Sequence, residues 1–271
     1  MSKWLKVTFF ALLLIGAGYF FGTVCKQIGQ AYRLILFPSE ELLNLLLWLL
    51  LALGAMAVIA GLAAALLRPV WIGIIAFALS GLAMLLGWQM TLGSGILILV
   101  YLLAASSYAV GVARELNERI RFSVRPISEG QDMFLMALIL VACGSLYLGC
   151  AAHIEREGFS IPEFYIEMFM KPMETQIEAQ GPAVERQEAL AGSREEFRRA
   201  VAEFFERMVK PYEQFIPLAV AASLFMPLVM ISRLLAWVPA MFLSIVFPLL
   251  KALDVIRVVS ETREVQTLVI D

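Results

Sequence analysis

Histidine occurs once in the 271 residues, at His153, and cysteine three times, at Cys25, Cys143 and Cys150. There is no second histidine to join His153 and no CxxC pair, which argues against a zinc site. A Ser-His-Asp triad could only be built on that one histidine, and no GxSxG elbow supplies its nucleophile. Cys143 and Cys150 lie about two turns apart on one predicted helix, too far for a bridge. The three cysteines read as small apolar side chains. Gly93-Ser94-Gly95 lacks the Lys-Ser/Thr that follows a phosphate loop and reads as a turn. No catalytic, metal-ligating or cofactor-binding residue is assigned, and no cofactor is expected.

Charge is scarce as well. Charged residues make up 16% of the chain and hydrophobic residues 61%, against about 25% and 45–50% in soluble domains. Mean hydropathy is +0.83. A soluble protein of this composition could not cover its surface with polar groups. The net charge of −2 leaves no basic face for nucleic acid. Basic residues sit instead at the ends of apolar runs, as in membrane proteins.

Long apolar runs are what the sequence does have. Seven segments approach the roughly 20 residues that a helical crossing needs. They fall near 5–24, 41–67, 70–89, 92–113, 132–153, 214–232 and 234–254. Backbone groups in lipid must bond within their own segment, so these are read as helices. The fold class is an all-α integral membrane protein of about seven spans, with an extramembrane amphipathic helical segment between spans five and six. Residues 1–153 form a five-helix region, 154–213 the extramembrane segment, 214–254 a proline-rich hairpin and 255–271 a tail.

Local signals support these limits. Lys3 and Lys6 precede an apolar run to Val24, a pattern that also fits a signal peptide. Gly22-Thr23-Val24-Cys25 is a poor cleavage site, so the run reads as an uncleaved first span. Ser39-Glu40-Glu41 offers a cap and two carboxylates where the dipole of span two favours them. Arg68-Pro69 ends that span. Small residues recur at Gly54, Ala57 and Gly61, at Ser80, Gly81 and Gly87, and at Gly93, Ala104, Ser107 and Gly111, where helices in lipid can approach closely. Pro217, Pro227, Pro239 and Pro248 predict kinks in the last two spans. Their join is read at Ser232-Arg233, with a re-entrant hairpin as the alternative to two crossings.

Basic residues set the orientation. With seven crossings, Lys3, Lys6, Arg68, Arg114, Arg119, Arg121, Arg125 and Arg233 share the N-terminal side, and the opposite short connection carries Lys26 and Arg33. This predicts a cytoplasmic N-terminus and residues 154–213 outside, against which the basic tail (Lys251, Arg257, Arg263) counts. A prokaryotic inner membrane is the expected location. The arginines of 114–131 read as an ordinary positive-inside anchor.

Residues 154–213 hold thirteen glutamates against eight lysines and arginines. Phe164 and Phe169 lie in an apolar cluster too acidic to span, which fits an interfacial or docking surface. Ser193-Arg194-Glu195-Glu196 matches a capping box. The helix it opens carries Phe197, Val201, Phe204 and Met208 on one stripe. These six residues are the candidate partner or membrane-interface contacts. Residues 165–174 resemble 204–213 in an aromatic-apolar-Glu-x-apolar-apolar-Lys-Pro-x-Glu frame, which a duplication or coincidence explains equally. The β-branched tail favours a paired strand, with disorder as the alternative.

The spans carry almost no ionisable groups, which argues against an ion-coupled carrier or a voltage sensor. The expected function is a non-enzymatic structural or assembly subunit of a membrane complex. Its partners would be the lipid bilayer and copies of itself or other membrane subunits. A channel or transporter for a small solute or lipid is the first alternative. An interfacial enzyme using the outer glutamates is the second.

Overall fold

The structure is a computed structural model and describes residues 3–31, 40–118, 130–157, 199–200, 203, 207, 210–235 and 237–252. Its elements are α1 (Lys3–Gln30), α2 (Glu40–Leu66), α3 (Val70–Gly87), α4 (Leu92–Glu118), α5 (Gln131–Glu157), a 3₁₀ turn (Lys210–Phe215), α6 (Ile216–Leu235) and α7 (Trp237–Ala252). Among the described residues, six helices are long and apolar enough to cross a membrane, the last running from Lys210 to Ser232. This is the architecture of a membrane protein.

Each of these helices is apolar on its buried and its exposed side alike. On α1, Phe10, Leu14, Ala17, Phe21, Cys25 and Ile28 recur every three or four residues and are buried, while Leu5, Phe9, Leu12 and Tyr19 are exposed. Water would penalise the second set; hydrocarbon does not. The helix pairs are therefore selected by shape rather than by hydrophobicity.

Glycines make that selection for α1. A Cβ on Gly18 would strike Ser80, one on Gly22 the Met84 backbone, and one on Gly149 the Gly29 backbone. These contacts advance in step, 18 with 80 and 22 with 84, so α1 and α3 run parallel. The Cys25 thiol meets the Ser145 side chain. Together with the Gly29–Gly149 contact, this makes α5 parallel to α1 as well. Helices α2, α4 and α6 return between them. The connection from Trp88 to Leu92, the end of α5 at Glu157 and the 3₁₀ turn at Lys210 therefore gather at one end of the bundle, here the Gln30 end. Lys3, Arg68, Arg114 and Gln131 belong to the opposite, Lys3 end.

Helix α5 is the central element, touching α1, α2, α4 and α6. In its most apolar stretch 61% of residues are buried, against 28% for the segment containing α6. Phe134 anchors it. The ring stacks on Tyr108 at 5.5 Å and meets Phe77 at 6.0 Å and Tyr101 at 5.9 Å, so one side chain ties α3, α4 and α5 together. Most of the few buried polar groups are held by protein partners. The Tyr101 hydroxyl donates to Ser80 Oγ (3.3 Å), which donates to the Leu14 carbonyl (3.0 Å). Gln131 Nε2 donates to the Ala57 carbonyl at 2.8 Å, while its buried Oε1 finds no partner among the described residues.

Several expectations are modified. Helix α1 continues to Gln30, six residues past the expected end, with Lys26 exposed at the surface. Gly93-Ser94-Gly95 is the first turn of α4 rather than a connecting turn. The break expected at Ser232-Arg233 comes later, because α6 runs to Leu235 and α7 starts at Trp237. Pro239 explains the shift. It has no N–H to offer the Leu235 carbonyl, yet is tolerated in the first turn of a new helix, where N–H groups have no intrahelical acceptor.

Helix α7 has 16 residues, so it is about 24 Å long. That is shorter than the roughly 30 Å of hydrocarbon that a crossing traverses. Six described helices thus meet the length for which the sequence suggests seven. Helix α7 packs on α2 more than on its chain neighbour α6.

Candidate functional site

At the Gln30 end, α1, the link from α3 to α4, and α5 enclose a crevice of about 800 Å³. Its placement follows from two local devices. The first is the Gly29–Gly149 crossing, which brings the ends of α1 and α5 together without side chains between them. The second caps α4. The Thr91 N–H donates to Ser94 Oγ (2.9 Å) and the Ser94 N–H to Thr91 Oγ1 (3.2 Å). This is a reciprocal capping box with serine in the place usually taken by glutamate. Ser94 Oγ also lies 2.6 Å from the Gln89 carbonyl, which closes the link into a rigid turn.

The crevice wall is amphipathic. Lys26, Gln30, Gln89, Glu155 and Arg156 give it polar groups, and Trp88, Leu92 and Leu148 apolar surface. Lys26, Glu155 and Arg156 make no hydrogen bond or ion pair among the described residues. The positive end of the α4 dipole, at Leu92 and Gly93, borders the same space.

A second crevice of about 750 Å³ lies between α5 and the 3₁₀ turn, lined by Tyr147, Ile154, Lys210, Glu213 and Pro217 among others. Ala151 and Glu155 border both spaces, so the last turns of α5 form the wall between them. His153, the one histidine, is half-buried at the first crevice. Among the described residues, no group of three or more His, Cys, Asp or Glu is placed to hold a metal ion.

The six candidate contacts of the acidic segment, Phe164, Phe169, Phe197, Val201, Phe204 and Met208, lie outside the described residues, as do the whole 165–174 frame, half of the 204–213 frame and the β-branched tail. Glu203 and Arg207 form an exposed pair at 3.7 Å, four residues apart, a geometry worth little by itself. The sequence reading did not single out Lys26 with Arg156 as a pair, nor the crevice between them. The available signals were the Thr91-x-x-Ser94 cap and the small residues four apart, Cys25 and Gly29 on α1 and Ser145 and Gly149 on α5.

The described fold defines a helical membrane protein with a packed interior and two crevices at one end. No protein-family model matches the chain, and no characterised protein or solved structure is similar to it.

Proposed function

We propose that the chain is a non-enzymatic structural or assembly subunit of a membrane complex. The observation that carries this reading is the filled interior. Phe21, Leu53, Met56, Phe77, Met84, Tyr101 and Phe134 occupy the middle of the bundle and are fully buried. Both described crevices stop at one end of it. A solute path through a single copy would need these side chains displaced, and close packing resists that. What is left to act is the lipid-facing surface and the polar end, where assembly contacts form.

Purification of the full chain in mild detergent, followed by native mass measurement, is expected to give an oligomer or a complex with other membrane proteins. A single copy without partners, combined with solute flux across liposomes, would overturn the reading. The second reading is a carrier of a small solute or lipid. What favours it is that two crevices of 750–800 Å³ open at the same end, as an inward- or outward-open carrier requires.

In this reading the Lys3 end faces the cytoplasm of a prokaryotic inner membrane, and α7 returns along α2 as a short seventh crossing. The basic residues Lys3, Lys6, Arg68 and Arg114 at that end support the orientation. The native cysteines are buried, so single introduced thiols report topology cleanly. Gln89→Cys is expected to react with a membrane-impermeant maleimide in intact cells, and Arg68→Cys only after permeabilisation. The reverse pattern inverts the protein.

A further inference from the structure

We infer that the crevice at the Gln30 end binds a phosphate-bearing amphiphile, with Lys26 and Arg156 on the phosphate and Trp88, Leu92 and Leu148 against the start of its apolar part. Three observations converge. The space, about 800 Å³, is large enough for a headgroup and the first segments of its chains. Two cations from different helices line it, and neither makes a hydrogen bond or ion pair with the described chain. The wall also changes character: charge stands beside Leu92, an apolar residue left 87% exposed, as at the boundary between headgroups and hydrocarbon.

The geometry of the two helices sets how the cations meet their ligand. Helices α1 and α5 run parallel and cross at Gly29 and Gly149. Lys26 stands three residues before that crossing and Arg156 seven residues beyond it. Along the axis their backbones are therefore separated by about 15 Å. Arginine leans back toward the crossing, as side chains on a helix do, and the long lysine side chain must be drawn forward by the ligand, so a phosphate held between the two levels is within reach of both. Arginine presents a planar fork that matches two phosphate oxygens, and lysine adds a point charge. Glu155 shares the wall and supplies an acceptor for a hydroxyl or ammonium on the headgroup. The proposal is independent of whether the chain is an assembly subunit or a carrier.

Native mass spectrometry of the full chain, extracted from phosphatidylcholine vesicles containing phosphatidylglycerol, tests it. The wild-type chain is expected to retain phosphatidylglycerol. The Lys26→Gln/Arg156→Gln double variant is expected to lose about 25-fold in apparent affinity, roughly fivefold per cation at a membrane surface. A Lys6→Gln/Arg114→Gln variant, which removes the same charge at the opposite end, is expected to retain the lipid as the wild type does. Both changed positions of the site are exposed, and an unchanged melting temperature will show that the fold is kept. Addition of inorganic phosphate alone separates the two sources of the ligand. Stabilisation by phosphate without lipid assigns the site to a soluble phosphate, and no response assigns it to the lipid headgroup. Equal retention by the site variant and the wild type, or equal loss in the opposite-end variant, overturns the proposal.

Discussion

Gly149→Leu is expected to lower the stability of the folded bundle by about 3 kcal/mol or more, at the upper end of what overpacking costs. The reason is local and specific. A Cβ at Gly149 would overlap the backbone oxygen of Gly29, and backbone cannot move aside as a flexible side chain can. Leucine adds three further carbons at the same point. Helices α1 and α5 must then separate, and the Cys25–Ser145 contact one turn away opens with them. Gly22→Leu, against the Met84 backbone, is expected to act in the same way on the α1–α3 pair. Gly54→Ala and Gly111→Ala provide the contrast, because a Cβ at either position meets nothing within 4 Å. In those helix interiors alanine is expected to gain about 0.5–1 kcal/mol by reducing the freedom of the unfolded chain. Thermal unfolding in one detergent, followed by circular dichroism, ranks the four variants. Equal melting temperatures for Gly149→Leu and Gly54→Ala would remove the backbone crossing from the account.

Phe134→Ala is the second large effect, with an expected loss of about 3–5 kcal/mol. Phe134 is fully buried and touches three other aromatic rings on two neighbouring helices. Truncation removes its own contacts and also leaves Tyr108 without its stacking partner. Tyr101 is held separately through Ser80, so the cavity cannot simply collapse around it. Phe134→Leu, which keeps more of the volume, is expected to lose less. Unfolding in increasing denaturant measures the loss, and the near-ultraviolet circular dichroism of the tyrosines should weaken in parallel. A Phe134→Ala protein as stable as the wild type would mean that these rings are not in contact.

The sequence made the helices legible and left their partners largely hidden. Glu40 and Glu41 do open α2, as the run before it indicated. Pro69 does stand between α2 and α3. Small residues were a correct clue in part. Ser80 and Gly87 do meet α1 closely, at Gly18 and at Tyr19 and Thr23, whereas Gly54 and Gly111 face open space, and Gly18, Gly29 and Gly149 were not singled out as packing positions. Spacing of three or four marks a helix face; it does not say whether another helix or lipid lies against it. The span was ended with its apolar run at Val24, but the helix continues through the polar Lys26 and Gln27 to Gln30. An α-helix whose last turns reach the membrane surface accommodates both.

By itself the sequence determined that this chain belongs in a membrane, because runs of leucine, alanine and valine this long have no stable place in water and can satisfy their backbone only as helices. Only the tertiary structure decided which side of each helix is inside, because the buried and exposed sides are equally apolar and the lipid is no less favourable a neighbour than another helix. It also decided that Lys26 and Arg156, 130 positions apart in the chain, border one crevice, since that depends on two glycines letting their backbones touch.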